Sequence, residues 1–246
     1  MADPLIVCHR GFSSLAPENT LAAYRLAWER GFSFAECDVR LTRDRVPVLI
    51  HDAALKRTAG KDSKLSDLTY QDLQEFEVGG WKDEQYRGEP VSRLVDVLKY
   101  LRGKMRLIIE IKETGMEKEV LEAISTAGYE PGEVTVFAFD LSVLLTLRTL
   151  EPCLPSVWLQ SDWPHDPEVH RERWRTLLSA GIGGIGFSTK TANAASIHAS
   201  QARNLRVYVW TANTIEQMKP LLTWGVDAIM TDYPERLQKL VNERGG

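Results

Sequence analysis

The sequence is poor in cysteine, in basic charge and in long apolar runs. Its cysteines are Cys8, Cys37 and Cys153. An odd, widely spaced set supplies neither a disulfide framework nor the paired spacing of a zinc site. Cys8 and Cys37 fall in strand-like runs and read as small core residues. The formal net charge is -4, so no basic footprint suits sequence-independent binding of nucleic acid. An anionic substrate would have to be met by local cations. No apolar run reaches the roughly 18 residues that cross a bilayer, and no stable membrane anchor is expected. No charged and then apolar leader precedes Leu5, and the expected location is cytoplasmic. No Gly-x-Gly-x-x-Gly run follows a strand, which weakens any dinucleotide site. The stretch Gly181-Ile182-Gly183-Gly184-Ile185-Gly186 is glycine-rich but lacks that context. No low-complexity tract or linker divides the chain, so residues 1–246 are expected to form one domain.

What is present is a regular alternation. Strand-like runs at 5–8, 34–41, 106–111, 134–137, 155–159, 184–187, 206–210 and 227–230 are each followed by a helical pattern. The first helix, about 20–30, would present Leu21, Tyr24 and Trp28 on one face, with Asn19 or Thr20 as its N-cap and Gly31 as its stop. A further short strand, 46–50, ends at His51-Asp52. Segment 53–90 breaks the rhythm with glycines, many charges and one short helical piece, and is too polar and short for a core of its own. Eight strand–helix units in 246 residues predict a (β/α)8 TIM barrel, an α/β fold, with a small insertion after strand 2. A doubly wound open sheet is the alternative.

In such a barrel chemistry gathers at the carboxyl ends of the strands. The first run ends in His9-Arg10-Gly11, the second carries Glu36 and Asp38, and the short strand ends in His51-Asp52. Glu110 and Lys112 follow on the next, then Trp210-Thr211 and Thr231-Asp232 on the last two. Glu36 and Asp38 are two residues apart on a strand and face one side, the barrel interior; Glu110 and Lys112 repeat the pattern. Three carboxylates at one end repel unless a cation lies among them. A hard divalent ion, Mg²⁺ or Ca²⁺, is one solution, and an ion network with Arg10 and Lys112 is the other. His9 and His51 can serve as general acid and base, and Arg10 and Lys112 suit a phosphate. Trp210 either caps the core or walls a substrate pocket. His165, His170 and His198 are given no role. Metal-assisted phosphoester hydrolysis fits these residue types best; enolisation of a metal-bound carboxylate would use the same types.

The ordered set His9-Arg10-Gly11, Pro17-Glu18-Asn19-Thr20, Glu36-x-Asp38, His51-Asp52, Glu110-x-Lys112, Trp210-Thr211-x-Asn213 and Thr231-Asp232-x-Pro234 closely resembles the glycerophosphodiester phosphodiesterase family. Leu55-Lys56-Arg57-Thr58-Ala59-Gly60 resembles the start of that family's inserted region. The resemblance implies a barrel with that insertion, and one divalent cation on Glu36, Asp38 and Glu110. It also implies catalytic His9 and His51, with Arg10 and Lys112 on phosphate. The reaction implied is hydrolysis of a small glycerophosphodiester to an alcohol and glycerol 3-phosphate. Phe137-Ala138-Phe139, where many relatives have Ser-Phe, and Val91-Ser92-Arg93-Leu94, without the usual Pro-Thr-Leu, depart from the pattern and bear on specificity. Sphingomyelinase D-like enzymes share the barrel and both histidines but lack the Pro-Glu-Asn-Thr stretch. A catalytically dead barrel used for binding is disfavoured by the intact histidines and carboxylates.

Overall fold

The computed structural model describes residues 3–164 and 166–245. The elements run β1 (Leu5–Cys8), α1 (Leu21–Glu29), β2 (Phe34–Leu41), β3 (Pro47–Leu49), α2 (Lys56–Ala59), α3 (Tyr70–Leu73), α4 (Leu94–Leu101), β4 (Arg106–Ile111), α5 (Glu117–Thr126), β5 (Thr135–Ala138) and α6 (Leu141–Leu150). They continue with β6 (Ser156–Gln160), α7 (Pro167–Ser179), β7 (Gly184–Ser188), α8 (Ala194–Gln201), β8 (Arg206–Trp210), α9 (Ile215–Trp224), β9 (Ala228–Thr231) and α10 (Pro234–Gly245). Strand β1 pairs in parallel with both β2 and β9, so the sheet closes on itself. Closure yields the eight-stranded parallel barrel and removes the open-sheet alternative. The ninth strand, β3, lies antiparallel on β2, with Leu49 opposite Val39.

Alternation along the strands separates two apolar layers. Val7, Ile108, Phe137, Val157, Leu159, Tyr208, Ala228 and Met230 fill the barrel interior, where the Phe137 and Tyr208 rings meet edge to face at 5.0 Å. Ala35, Cys37, Val39, Ile109 and Val136 face outward into the layer shared with the helices. Cys8 and Cys37 are buried, as small core residues. Among the described residues no helix is long and apolar enough to cross a membrane.

Two expectations are corrected. Helix α1 buries Ala22, Ala23, Tyr24 and Ala27, whereas Leu21 and Trp28 are 36% and 41% exposed. Tyr24 is buried as expected, but the helix rests on the loop after β1 through Ala23, where Gly11 approaches, and this turns Leu21 and Trp28 off the buried face. Trp28 instead receives the Lys104 ammonium 5.0 Å from a ring centroid. The insertion is more structured than one helical piece. It holds α2, α3 and tight turns at Leu65–Asp67 and Glu84–Tyr86. It also has a small core, in which Leu55, Leu65, Leu73 and Val78 pack on Val48, Ile50 and Val91. Strand β3 and its flanks form one wall of that core, so the composition of 53–90 alone understates it.

Candidate active site

The chain leaves β1 through a turn that only certain residues can make. Arg10 and Gly11 have φ values of 56° and 81°, and Asn19 has 59°. A Cβ on Gly11 would lie 2.7 Å from the Cβ of Ala23, so the loop can rest on α1 only with glycine there. Thr20 caps α1, accepting a hydrogen bond from the Ala23 backbone N–H and donating to the Pro17 carbonyl at 2.7 Å. Asn19 is held between helix and barrel. Its Nδ2 donates to Asp38 Oδ2 at 2.8 Å, and its Oδ1 accepts from the Asp38 backbone N–H at 3.0 Å and from the Tyr24 hydroxyl at 3.1 Å. The Pro17–Thr20 stretch thus builds the support of a barrel carboxylate. Asn19→Ala should lower stability by about 1–3 kcal/mol, because it strands buried polar partners. Asn19→Gly, which relaxes the backbone but restores no bond, should remain destabilised in urea unfolding. A wild-type midpoint for Asn19→Gly would reduce the role of Asn19 to its backbone conformation.

Glu36, Asp38 and Glu110 are buried, and one oxygen from each lies within 4.8 Å of the others. Their meeting follows from register: Asp38 stands beside Glu110 across the β2–β4 pair. Part of the ion-network alternative is realised. Arg10 Nε is 2.9 Å from Asp38 Oδ2, and Lys112 Nζ is 2.9 Å from Asp38 Oδ1 and 2.5 Å from Glu110 Oε1. Burial alone would raise the Asp38 carboxyl, yet the Arg10 and Lys112 charges hold it below the usual range. Glu36 is different. Its Oε2 accepts the Arg10 backbone N–H at 3.0 Å, its Oε1 is buried with no hydrogen-bond partner, and it has no cationic side chain paired to it among the described residues. Burial, then the charges of Asp38 and Glu110, push its carboxyl well above the usual range. An orphaned buried oxygen in an all-oxygen donor set fits a hard divalent cation.

The two histidines are anchored alike. His9 Nδ1 lies 2.6 Å from Asp232 Oδ1, and His51 Nδ1 lies 2.7 Å from Asp52 Oδ1. A carboxylate partner places the proton on Nδ1 of a neutral ring and leaves Nε2 for chemistry. Asp232 also accepts from Ser13 Oγ at 2.9 Å and Asn213 Nδ2 at 2.5 Å. Burial opposes its ionisation, but the bonds from His9, Ser13 and Asn213 bring its carboxyl down to about 2. Burial lowers the His51 imidazole below its usual value and outweighs the pull of Asp38 and Asp52.

Behind His51 runs a chain of charges. Arg57 Nε donates to Asp52 Oδ2 at 2.6 Å, while its Nη1 and Nη2 donate to Glu18 at 2.7 and 2.8 Å. Glu18 Oε1 in turn accepts from Arg10 Nη1 at 2.8 Å. Arg57 lies on α2, so the insertion braces the loop after β1 and the carboxylate behind His51. Arg57→Ala should reduce kcat by roughly ten- to hundred-fold through misplacement of His51. Arg57→Lys, with one point charge for a fork, should recover little of it. Unchanged kcat for Arg57→Ala, measured beside the wild type, would leave the brace structural only.

Trp210 sits half-buried at the end of β8 with its ring edge-on to Phe139 at 5.3 Å, and its indole Nε1 is buried without a partner. A cavity of about 300 Å³ opens beside His51, Glu110 and Lys112, with Phe139 in its wall. Sequence reasoning marked Phe139 only as a departure bearing on specificity, and it missed the bracing by Arg57 and the aspartates' anchoring role. The adjacency of Asp52 to His51 was the available signal for one of them. His170 stacks at 4.5 Å on Trp163, in the loop that follows β6, and His198 Nε2 lies 3.1 Å from the Trp224 carbonyl, so both are engaged in packing and neither joins the carboxylate cluster. His165 lies outside the described residues.

A family model, the glycerophosphoryl diester phosphodiesterase family, matches residues 9–236. A glycerophosphodiester phosphodiesterase of Bacillus altitudinis is 31% identical over 249 residues, covering 97% of this chain and 98% of its own. One from Caldanaerobacter subterraneus subsp. tengcongensis is 28% identical over 247 residues, covering 98% of this chain and 99% of its own. Among solved structures, an Oleispira antarctica phosphodiesterase in complex with the product sn-glycerol-3-phosphate matches with a TM-score of 0.87 at 27% identity, over 98% of this chain and 97% of that one. With a barrel rim of this geometry and a match spanning nearly its whole length, the chain belongs to the glycerophosphoryl diester phosphodiesterase family and is a phosphoric diester hydrolase.

Proposed function

We propose that the chain, acting as one catalytic domain, hydrolyses small glycerophosphodiesters to an alcohol and glycerol 3-phosphate by acid–base catalysis between His9 and His51. The observation that carries this reading is the matched pair of histidines, each fixed through Nδ1 on an aspartate, at the rim that holds the buried carboxylates. Glu36, Asp38 and Glu110 would hold one divalent cation, Mg²⁺ or Ca²⁺, which supplies charge neutralisation for the non-bridging phosphate oxygens. Arg10 and Lys112 bind the phosphate from opposite sides of Asp38, the carboxylate they share. Trp210 walls the substrate pocket.

One histidine takes the proton of the glycerol 2-hydroxyl, which attacks phosphorus. The other protonates the departing alcohol oxygen. The product of this step is a five-membered cyclic glycerol phosphate, which water opens as the histidines exchange roles.

Release of choline and glycerol 3-phosphate from glycerophosphocholine tests the reading. Turnover should vanish on exhaustive chelation and return on adding back Mg²⁺ or Ca²⁺. Full activity after chelation would remove the cation. Failure to cleave glycerophosphocholine or other glycerophosphodiesters with the cation restored would remove the substrate class.

A further inference from the structure

The other end of the barrel carries a second concentration of cations. Ile108 and Tyr208 point into the barrel interior. Arg106 and Arg206 precede them by two residues, so they share that inward face at the amino-terminal mouth. In the closed order, β4 and β8 are four strands apart, on opposite walls. A cavity of about 360 Å³ lies at this mouth, and both arginines line it together with Arg148 from α6. No carboxylate lines it.

These arginines differ from most others in the chain. Arg30, Arg40, Arg45, Arg93 and Arg173 are each paired with an acid. Among the described residues Arg106, Arg148 and Arg206 have no ion-pair partner; Arg148 donates to the Pro152 carbonyl, and Arg206 lies against the Tyr208 hydroxyl. Acids line the adjoining grooves, Asp3 and Asp227 beside Arg206 and Glu133 beside Arg106, but none of them forms an ion pair with these arginines, and Asp227 accepts the Val207 backbone N–H at 2.8 Å. Three unpaired guanidinium groups around one cavity repel one another, in a chain whose net charge is -4.

The remaining wall is the glycine-rich stretch that the catalytic rim does not use. Gly181, Gly183 and Gly184 line the cavity. A Cβ on Gly181 would meet Arg148 Nη2 at 2.8 Å, and one on Gly184 would meet Val157 Cγ2 at 2.7 Å. Around Gly183 a Cβ would meet nothing within 4 Å. Glycine there admits the Arg148 head group at one point and leaves open space at the next.

We infer that the amino-terminal mouth is an oxyanion site that takes a phosphate-monoester dianion, separate from the catalytic rim. Guanidinium forks match phosphate oxygens two at a time, and a dianion relieves the repulsion among the three arginines. The cavity is larger than one phosphate group requires, so a small organic substituent fits beside it. Inorganic phosphate and glycerol 3-phosphate offer the same dianion, and titration tells them apart.

Calorimetric titration of the full chain with each probe should reveal two binding events, one at the rim and one at the mouth. Arg106→Ala/Arg206→Ala should weaken the second event roughly ten-fold or more and leave turnover of glycerophosphodiester unchanged. Should that double variant fail to fold, Arg148→Glu, placed on a helix outside the barrel, should give the same loss. Tighter binding of glycerol 3-phosphate at the mouth identifies an organic phosphate as its ligand; equal binding identifies the phosphate group alone. A single event that disappears with Arg10→Ala and is untouched by the mouth variants would overturn the site. Equal displacement by equimolar chloride would overturn it as well.

Discussion

Alanine at His9 or at His51 is expected to lower the chemical rate by roughly 10²–10⁴-fold each, in line with the loss of one general acid or base. The expectation rests on how the rings are held. Each imidazole is fixed by its Nδ1 on a carboxylate, and neither belongs to the apolar clusters that fill the barrel or its outer layer. The His9 and His51 side chains are 14% and 36% exposed, so their removal opens no core cavity. Thermal midpoints should therefore move little while single-turnover rates collapse. The two substitutions should not combine multiplicatively, since the proposed mechanism uses the histidines as a pair in one proton relay. Variants that unfold, or that keep a rate close to the wild type, would return both residues to a structural role.

The second large effect concerns the nucleophile. Among the described residues no serine or cysteine is hydrogen-bonded to His9 or His51; Asp232 and Asp52 occupy the Nδ1 positions. The glycerol 2-hydroxyl, by contrast, is tethered beside the phosphorus in any glycerophosphodiester. Intramolecular attack carries an effective molarity of order 10⁵–10⁸ M in well-oriented cases, which water cannot match. A substrate with the 2-hydroxyl replaced by hydrogen should bind with a similar affinity and turn over about 10³-fold more slowly or worse. Trapping of a cyclic glycerol phosphate from the parent substrate under single-turnover conditions would support the same route. Hydrolysis of the deoxy analogue at a rate near that of the parent diester would leave direct attack by water as the mechanism.

Both effects depend on parts of the molecule that differ in how far they can be read in advance. The barrel was legible because its signals are local. Each strand is a short apolar run, each helix follows within a few residues, and period-two alternation sends Glu36 with Asp38, and Glu110 with Lys112, to one face. The meeting of three carboxylates needed only neighbouring strands, and the β2–β4 register delivers it. On α1 the sequence places Tyr24 correctly but Leu21 and Trp28 wrongly, because apolar character points to them while the closeness of Gly11 to Ala23 turns the alanine side of the helix inward beside Tyr24. The core of the insertion was missed because three of its seven buried residues, Val48, Ile50 and Val91, lie outside the segment.

What the sequence by itself determined is the set of chemical groups and the strands that carry them: His9, Arg10, Glu36, Asp38, Glu110 and Lys112 on or just after barrel strands, and His51 after the short strand β3 laid on β2. What only the tertiary structure decided is which of those groups are partnered and by what. His9 finds Asp232 across 223 residues because β1 and β9 close the barrel. Arg57 reaches Glu18 across 39 residues because the insertion folds back over the rim. Arg10 and Lys112 are drawn onto Asp38 and leave Glu36 with an unmatched oxygen. Arg106 and Arg206 become facing residues only once the sheet is a cylinder. Local periodicity sets the direction of a side chain, whereas its partners are set by chain closure, which joins positions that no local pattern relates.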